Sequence, residues 1–155
     1  MEIPIKQIKM FVVLLSILGS FAHANNTDTS SIELLKAHRG QVVLLDFWAS
    51  WCTPCRRSFP WMNEMKEKYQ DQGLVVIAIN MDADRQAANN FLSSIPAEFD
   101  VPFDQQSLAT QLEVAAMPTS FIIGRNGQIL NIHRGFLTKK ITYYEETIRR
   151  ALKSK

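Results

Sequence analysis

The chain has 155 residues, 17 Lys and Arg against 15 Asp and Glu, a formal net charge of +2, and 46% hydrophobic residues. This length fits one domain, and the near-neutral balance with no basic patch excludes nucleic acid as a partner. Two cysteines are too few for a small scaffold held together by disulfides.

Residues 1–24 read as a secretory signal peptide. Lys6 and Lys9 form a basic start, Met10 to Phe21 is a nearly unbroken apolar run, and Ala22-His23-Ala24 is a small-residue cleavage site. The run is shorter than the roughly 20 residues needed to cross a hydrocarbon core. The alternative is an uncleaved N-terminal anchor. No cysteine follows the run, so a lipid-anchored form is not expected. After cleavage, residues 25–155 hold 15 basic and 14 acidic side chains, enough chain for one hydrophobic core. The expected location is extracytoplasmic, a bacterial periplasm above all, with no stable membrane insertion of the mature protein. Such a compartment is oxidising, so a lone cysteine pair there is a disulfide unless something reduces it.

Ser30 or Ser31 can cap a short helix, SIELLKAHR, that stops at Gly40. QVVLLDFWA then reads as a strand buried on both faces. A helix is predicted from about Thr53 to Gln70, ended by Gly73, and LVVIAINMD is a second buried strand. Asp84 can cap the helix DRQAANNFLSSI, which stops before Pro96. PAEFDVPFDQQ is looser, with a short extended piece at Val101–Phe103, and SLATQLEV is a further short helix. MPTSFIIGRNGQILNIHRG reads as a hairpin about Asn126-Gly127, a strong tight-turn pair. Thr138 can cap a last helix, KKITYYEETIRRALKSK. The order α-β-α-β-α-(β)-α-β-β-α predicts an α/β domain, a central mixed sheet with helices on both faces.

Cys52 and Cys55 sit in DFWASWCTPC, where the first strand hands over to a helix. A CxxC pair can chelate metal, form an inert staple or pass electrons. At this junction Cys52 lies at the helix N-cap, where unpaired N–H groups and the positive end of the dipole favour a thiolate. Pro54 suits the first turn, because its missing N–H costs nothing there. Cys55 lies one turn on. An exposed nucleophile and a sheltered resolving thiol are expected, exchanging through a mixed disulfide on Cys52. A closed zinc site needs four ligands, and nothing places His38 or His133 near the cysteines; both read as surface histidines. A copper carrier using Met117 is the remaining metal alternative.

Residues 46–60, DFWASWCTPCRRSFP, resemble the active-site segment of the thioredoxin superfamily, including the helix proline, Pro60. Met117-Pro118-Thr119 resembles the family's cis-proline at the start of a strand, and Gly135 the glycine before its last helix. The resemblance implies the thioredoxin-like fold over nearly all of residues 25–155. It implies Cys52 as nucleophile, Cys55 as resolving thiol and Asp46 as the buried acid that takes the resolving thiol's proton. It implies a substrate surface of Trp51, Thr53, Pro54, Met117 and Pro118, with Trp48 mostly core. Burial should raise the Asp46 pKa toward neutrality. The lysine that accompanies this acid in thioredoxin is matched here by Ala78.

From Cys55 to Pro118 is 63 residues, longer than in small cytoplasmic thioredoxins. The extra chain, a short insertion between the second core strand and the cis-proline strand, resembles the exported TlpA and ResA type. Members of that group reduce extracytoplasmic disulfides, and some serve cytochrome c maturation. The position of the ResA-like functional glutamate looks like Ala83, which weakens that last assignment. The preferred expectation is a thiol–disulfide oxidoreductase acting as a reductant on protein or peptide disulfides. Thr53-Pro54 lacks the histidine common in strong oxidants. An oxidase or isomerase is the alternative. No cofactor is expected; a membrane dithiol donor and a monomer are.

Overall fold

The structure, a computed structural model, describes Thr29, residues 32–103 and residues 105–154. The signal peptide and the Ser30 or Ser31 cap lie outside the described residues. A four-stranded sheet in the order β2-β1-β3-β4 forms the centre. β1 (Val42–Trp48) and β2 (Leu74–Asn80) run parallel, whereas β3 (Thr119–Ile123) is antiparallel to both β1 and β4 (Ile129–Arg134). β1 is buried at every position, which is why its sequence is a continuous apolar run instead of an alternation.

Helices cover both faces. Val42, Leu44 and Trp48 pack with α2 (Thr53–Tyr69), α3 (Arg85–Ser94) and α5 (Ile141–Lys153). Val43, Leu45 and Phe47 pack with α1 (Glu33–Lys36) and α4 (Gln106–Gln111). The parity of β1 thus decides which side chains share a face with the cysteines.

The insertion is docked, not loose. Asp84 caps α3 by accepting from the Gln86 N–H at 2.9 Å. The following segment lies along the outer edge of β2, with Ala78 N–H bonded to Asp100 O and Asn80 N–H to Pro102 O. Asn63 of α2 donates to Pro96 O at 3.0 Å and accepts from Glu98 N–H at 2.8 Å, and Lys66 donates to Glu98 O. Phe91 and Phe99 pack edge-to-face on Phe59 of α2. The insertion therefore buttresses the helix that carries the cysteines.

Two helix starts differ from the sequence reading. α1 is shorter than SIELLKAHR, and its cap position is Ile32, whose side chain has no oxygen to offer. Thr138 does not cap the last helix; it opens a 3-10 turn, Thr138–Lys140, and α5 begins at Ile141 without a side-chain cap.

Candidate active site

The Cys loop leaves the C-terminal end of β1 and is braced before it reaches Cys52. Met81 N–H donates to Trp48 O at 2.8 Å, and Trp48 Nε1 donates to Ala78 O at 3.2 Å. Ser50 gives Asp82 two bonds of 2.8 Å, from its backbone N–H and from its hydroxyl. Asn80 Nδ2 holds the same carboxylate at 2.7 Å. This clasp ties the Cys loop to the end of β2. Asp82 was legible only as an acid after a strand; its partner lies 32 residues away.

Cys52 and Cys55 are joined as a disulfide, with Cα atoms 5.3 Å apart. Cys52 is the N-cap of α2, and its Sγ accepts from the Cys55 N–H at 3.3 Å. Pro54 stands in the first turn of that helix. The helix terminus therefore directs a backbone donor at Cys52 Sγ. The sequence reading makes Cys52 exposed; it is only 3% exposed, and Cys55 is fully buried. The exposed element is Trp51, at 69%, with Thr53 exposed and Pro54 half-buried beside it.

The Met117–Pro118 peptide is cis. Phe47 pairs with Thr119, so Pro118 stands opposite Trp48, at the end of β1 from which the Cys loop departs. Pro118 O accepts from the Gly135 N–H at 2.7 Å. Gly135 has φ +79°, a backbone that favours glycine. Met117 is half-buried against the core cluster that includes both cysteines, and Ala115 and Ala116 before it are exposed.

Asp46 is fully buried on the cysteine face of β1. Its cross-strand neighbours are Ala78 on β2 and Ser120 on β3. The Ser120 hydroxyl donates to Asp46 Oδ1 at 2.6 Å, and Oδ2 has no partner. Burial pushes the Asp46 carboxyl up to about 7, against the smaller opposing pull of that hydrogen bond. A carboxyl poised there can take or give a proton near neutral pH.

The sequence reading places both histidines on the surface, and for His133 this is wrong. His133 is buried on β4 between Tyr143 and Tyr144 of α5. Thr147 gives its hydroxyl proton to Tyr144 O, so the 3.3 Å contact between Thr147 and His133 is donated by Nε2–H. Burial, with Lys140 nearby, lowers its pKa to about 4. His38 is half-buried and bonds Gln41. Among the described residues no group of three His, Cys, Asp or Glu is placed to hold a metal.

A family profile described as thioredoxin-like matches residues 40–129. The chain belongs to the thioredoxin-like family. The thiol-disulfide oxidoreductase ResA of Geobacillus kaustophilus (strain HTA426) is 34% identical over 107 residues, which are 68% of this chain and 62% of that protein. The chain thus spans less than two thirds of that curated relative. A Chlorobium tepidum crystal structure, described as a thiol:disulfide interchange protein DsbE, superposes with a TM-score of 0.73 at 49% identity. It covers 76% of this chain and 84% of that one. A Bacteroides thetaiotaomicron solution structure described as a protein disulfide isomerase gives a TM-score of 0.68 at 26% identity, covering 77% and 79%. The mixed sheet, the insertion and the cis-proline strand are those expected of the thioredoxin-like fold.

Proposed function

We propose that this chain is an exported thiol–disulfide oxidoreductase that reduces disulfides of extracytoplasmic polypeptides. The observation that carries this reading is the Cys52–Cys55 disulfide at the N-terminus of α2, with a buried Asp46 on the same face of the sheet and an exposed Trp51 next to it in the chain.

The cycle starts from the dithiol. The Cys52 thiolate, held by the Cys55 N–H, attacks a substrate disulfide; one substrate sulfur leaves and a mixed disulfide forms on Cys52. Asp46 takes the Cys55 proton through water. The Cys55 thiolate attacks Cys52 Sγ, the second substrate sulfur leaves as a thiolate that takes its proton from Asp46 or solvent, and the protein ends as the internal disulfide. Two electrons pass to the substrate, and a membrane dithiol donor returns them. Trp51, Thr53, Pro54, Met117 and Pro118 hold the substrate chain, whose backbone pairs with that of Met117. Residues 1–24 direct export, and the mature domain acts as a monomer.

Equilibration of residues 25–155 with glutathione buffers tests the direction. A potential near that of thioredoxin, about −270 mV, supports a reductant, and one near about −120 mV assigns an oxidant. A Cys55→Ser variant should trap substrates as mixed disulfides on Cys52; trapping nothing from an extracytoplasmic extract contradicts the substrate class.

A further inference from the structure

One row of side chains crosses the sheet on the face against which the cysteines pack: Ala78 on β2, Asp46 on β1, Ser120 on β3 and His133 on β4, paired position by position. Directly opposed residues point to the same face. Among the described residues, the titratable groups turned inward on that face besides Asp46 are Cys52, Cys55 and Tyr69 from α2, His133 from β4 and Tyr144 from α5.

The row holds no cation for Asp46. Ala78 is apolar. His133 is uncharged at neutral pH, because burial and Lys140 hold its pKa near 4, and its Nε2–H is committed to Thr147. Ser120 is the side chain that bonds Asp46. It bonds one oxygen only and leaves Oδ2 unpartnered, and it is itself half-buried while Asp46 is fully buried.

We propose that Ser120 is the positioning residue of the redox site: its hydroxyl fixes the Asp46 carboxylate through Oδ1, keeps Oδ2 open for the thiol proton, and sets the pH at which Asp46 works. In the resolving step the Cys55 S–H proton passes, through water, to Oδ2. Asp46 becomes neutral, and the Cys55 thiolate forms the new S–S bond as the substrate thiolate leaves. The Asp46 proton then passes to that thiolate or to solvent, and the hydrogen bond from Ser120 draws the carboxyl back to its ionised state. A hydroxyl donor favours the carboxylate over the acid, so removing it makes Asp46 harder to ionise. This inference rests on Asp46 serving the oxidoreductase cycle proposed above.

Two readouts separate the two claims. The first is the titration of the Asp46 side-chain carbon by NMR in wild type and in Ser120→Ala, Ser120→Thr and Ser120→Val. The midpoint should rise by about one pH unit in Ala and Val and stay close to wild type in Thr. Thr and Val have nearly the same shape, so this pair isolates the hydroxyl from packing. The second is the rate of the resolving step against pH. Ala and Val should slow it several-fold at neutral pH, and the deficit should narrow as pH rises; Thr should restore it. Unchanged midpoints in Ala and Val overturn the role of Ser120. Midpoints that move while the resolving rate keeps its wild-type pH profile overturn the use of Asp46 as the base, and the proposal with it.

Discussion

The two ends of the central sheet handle their polar groups in opposite ways. At the N-terminal end of β1, Arg125 in the β3–β4 turn donates to Gly40 O at 2.7 Å, Gln72 O at 3.1 Å and Leu152 O at 3.4 Å. Gly73, with φ +92°, lies so close that an added Cβ would meet the guanidinium at 3.1 Å. One cation thus ties the β3–β4 turn to the backbone ends of three other segments. At the other end, β1 delivers a disulfide, an exposed Trp51 and a buried carboxylate with one oxygen unpartnered. Among the described residues, Asp46 Oδ2 and Trp61 Nε1 are the buried side-chain polar atoms without a partner. The contrast teaches where stability and chemistry reside: the closed end fixes the sheet, and the open end keeps a reactive group available at some cost to stability.

The largest effect expected from breaking this contrast is at the open end. Cys52→Ser should abolish turnover with disulfide substrates. It should destabilise the oxidised protein by only about 2 kcal/mol, because the bridge closes a four-residue ring. Chemical denaturation beside a turnover assay checks both.

Asp46 comes next. Its folded pKa lies above its unfolded value, so the folded state binds the extra proton between pH 3.8 and about 7. Stability therefore falls as pH rises through that window, by on the order of 4 kcal/mol from this group. Subtracting the stability–pH curve of Asp46→Asn from that of wild type should leave this downward slope. His133 acts in the opposite sense: its lowered pKa makes stability rise with pH from about 4 to 6.5.

At the closed end, Arg125→Ala should cost about 2 kcal/mol of stability and leave the redox potential unchanged. The smallest effect belongs to Trp51→Ala. It should lower kcat/KM for polypeptide disulfides about tenfold, leave Tm within a degree or so of wild type, and spare a small dialkyl disulfide.

The open end was largely legible in sequence, because its determinants are local. DFWASWCTPC places an acid, a strand end, an N-cap and a first-turn proline within ten residues. The element order and an extended piece after α3 followed from apolar runs and breakers, but not its docking along β2. What escaped depends on register. Ser120 meets Asp46 across 74 residues of sequence, and no local pattern marks a serine inside TSFII as the partner of a buried acid. Asp82 was visible, but its clasp on Ser50 required β1 and β2 to be aligned in space. His133 lies on a strand whose alternation shows polar residues on both faces, and only the packing of α5 decides that it is buried. Thr138 has the chemistry of a cap, yet the 3-10 turn it opens moves the helix start to Ile141.

The central claim is that Asp46 takes the proton of Cys55 during closure of the Cys52–Cys55 bond. Rapid mixing of the reduced protein with a disulfide peptide, followed by tryptophan fluorescence from about pH 5 to about pH 9, tests it most directly. The wild-type resolving rate should break near pH 7, where the Asp46 carboxyl titrates. Asp46→Asn should lose that break and run about 100-fold slower at neutral pH. The same break and the same rate in Asp46→Asn would contradict the account.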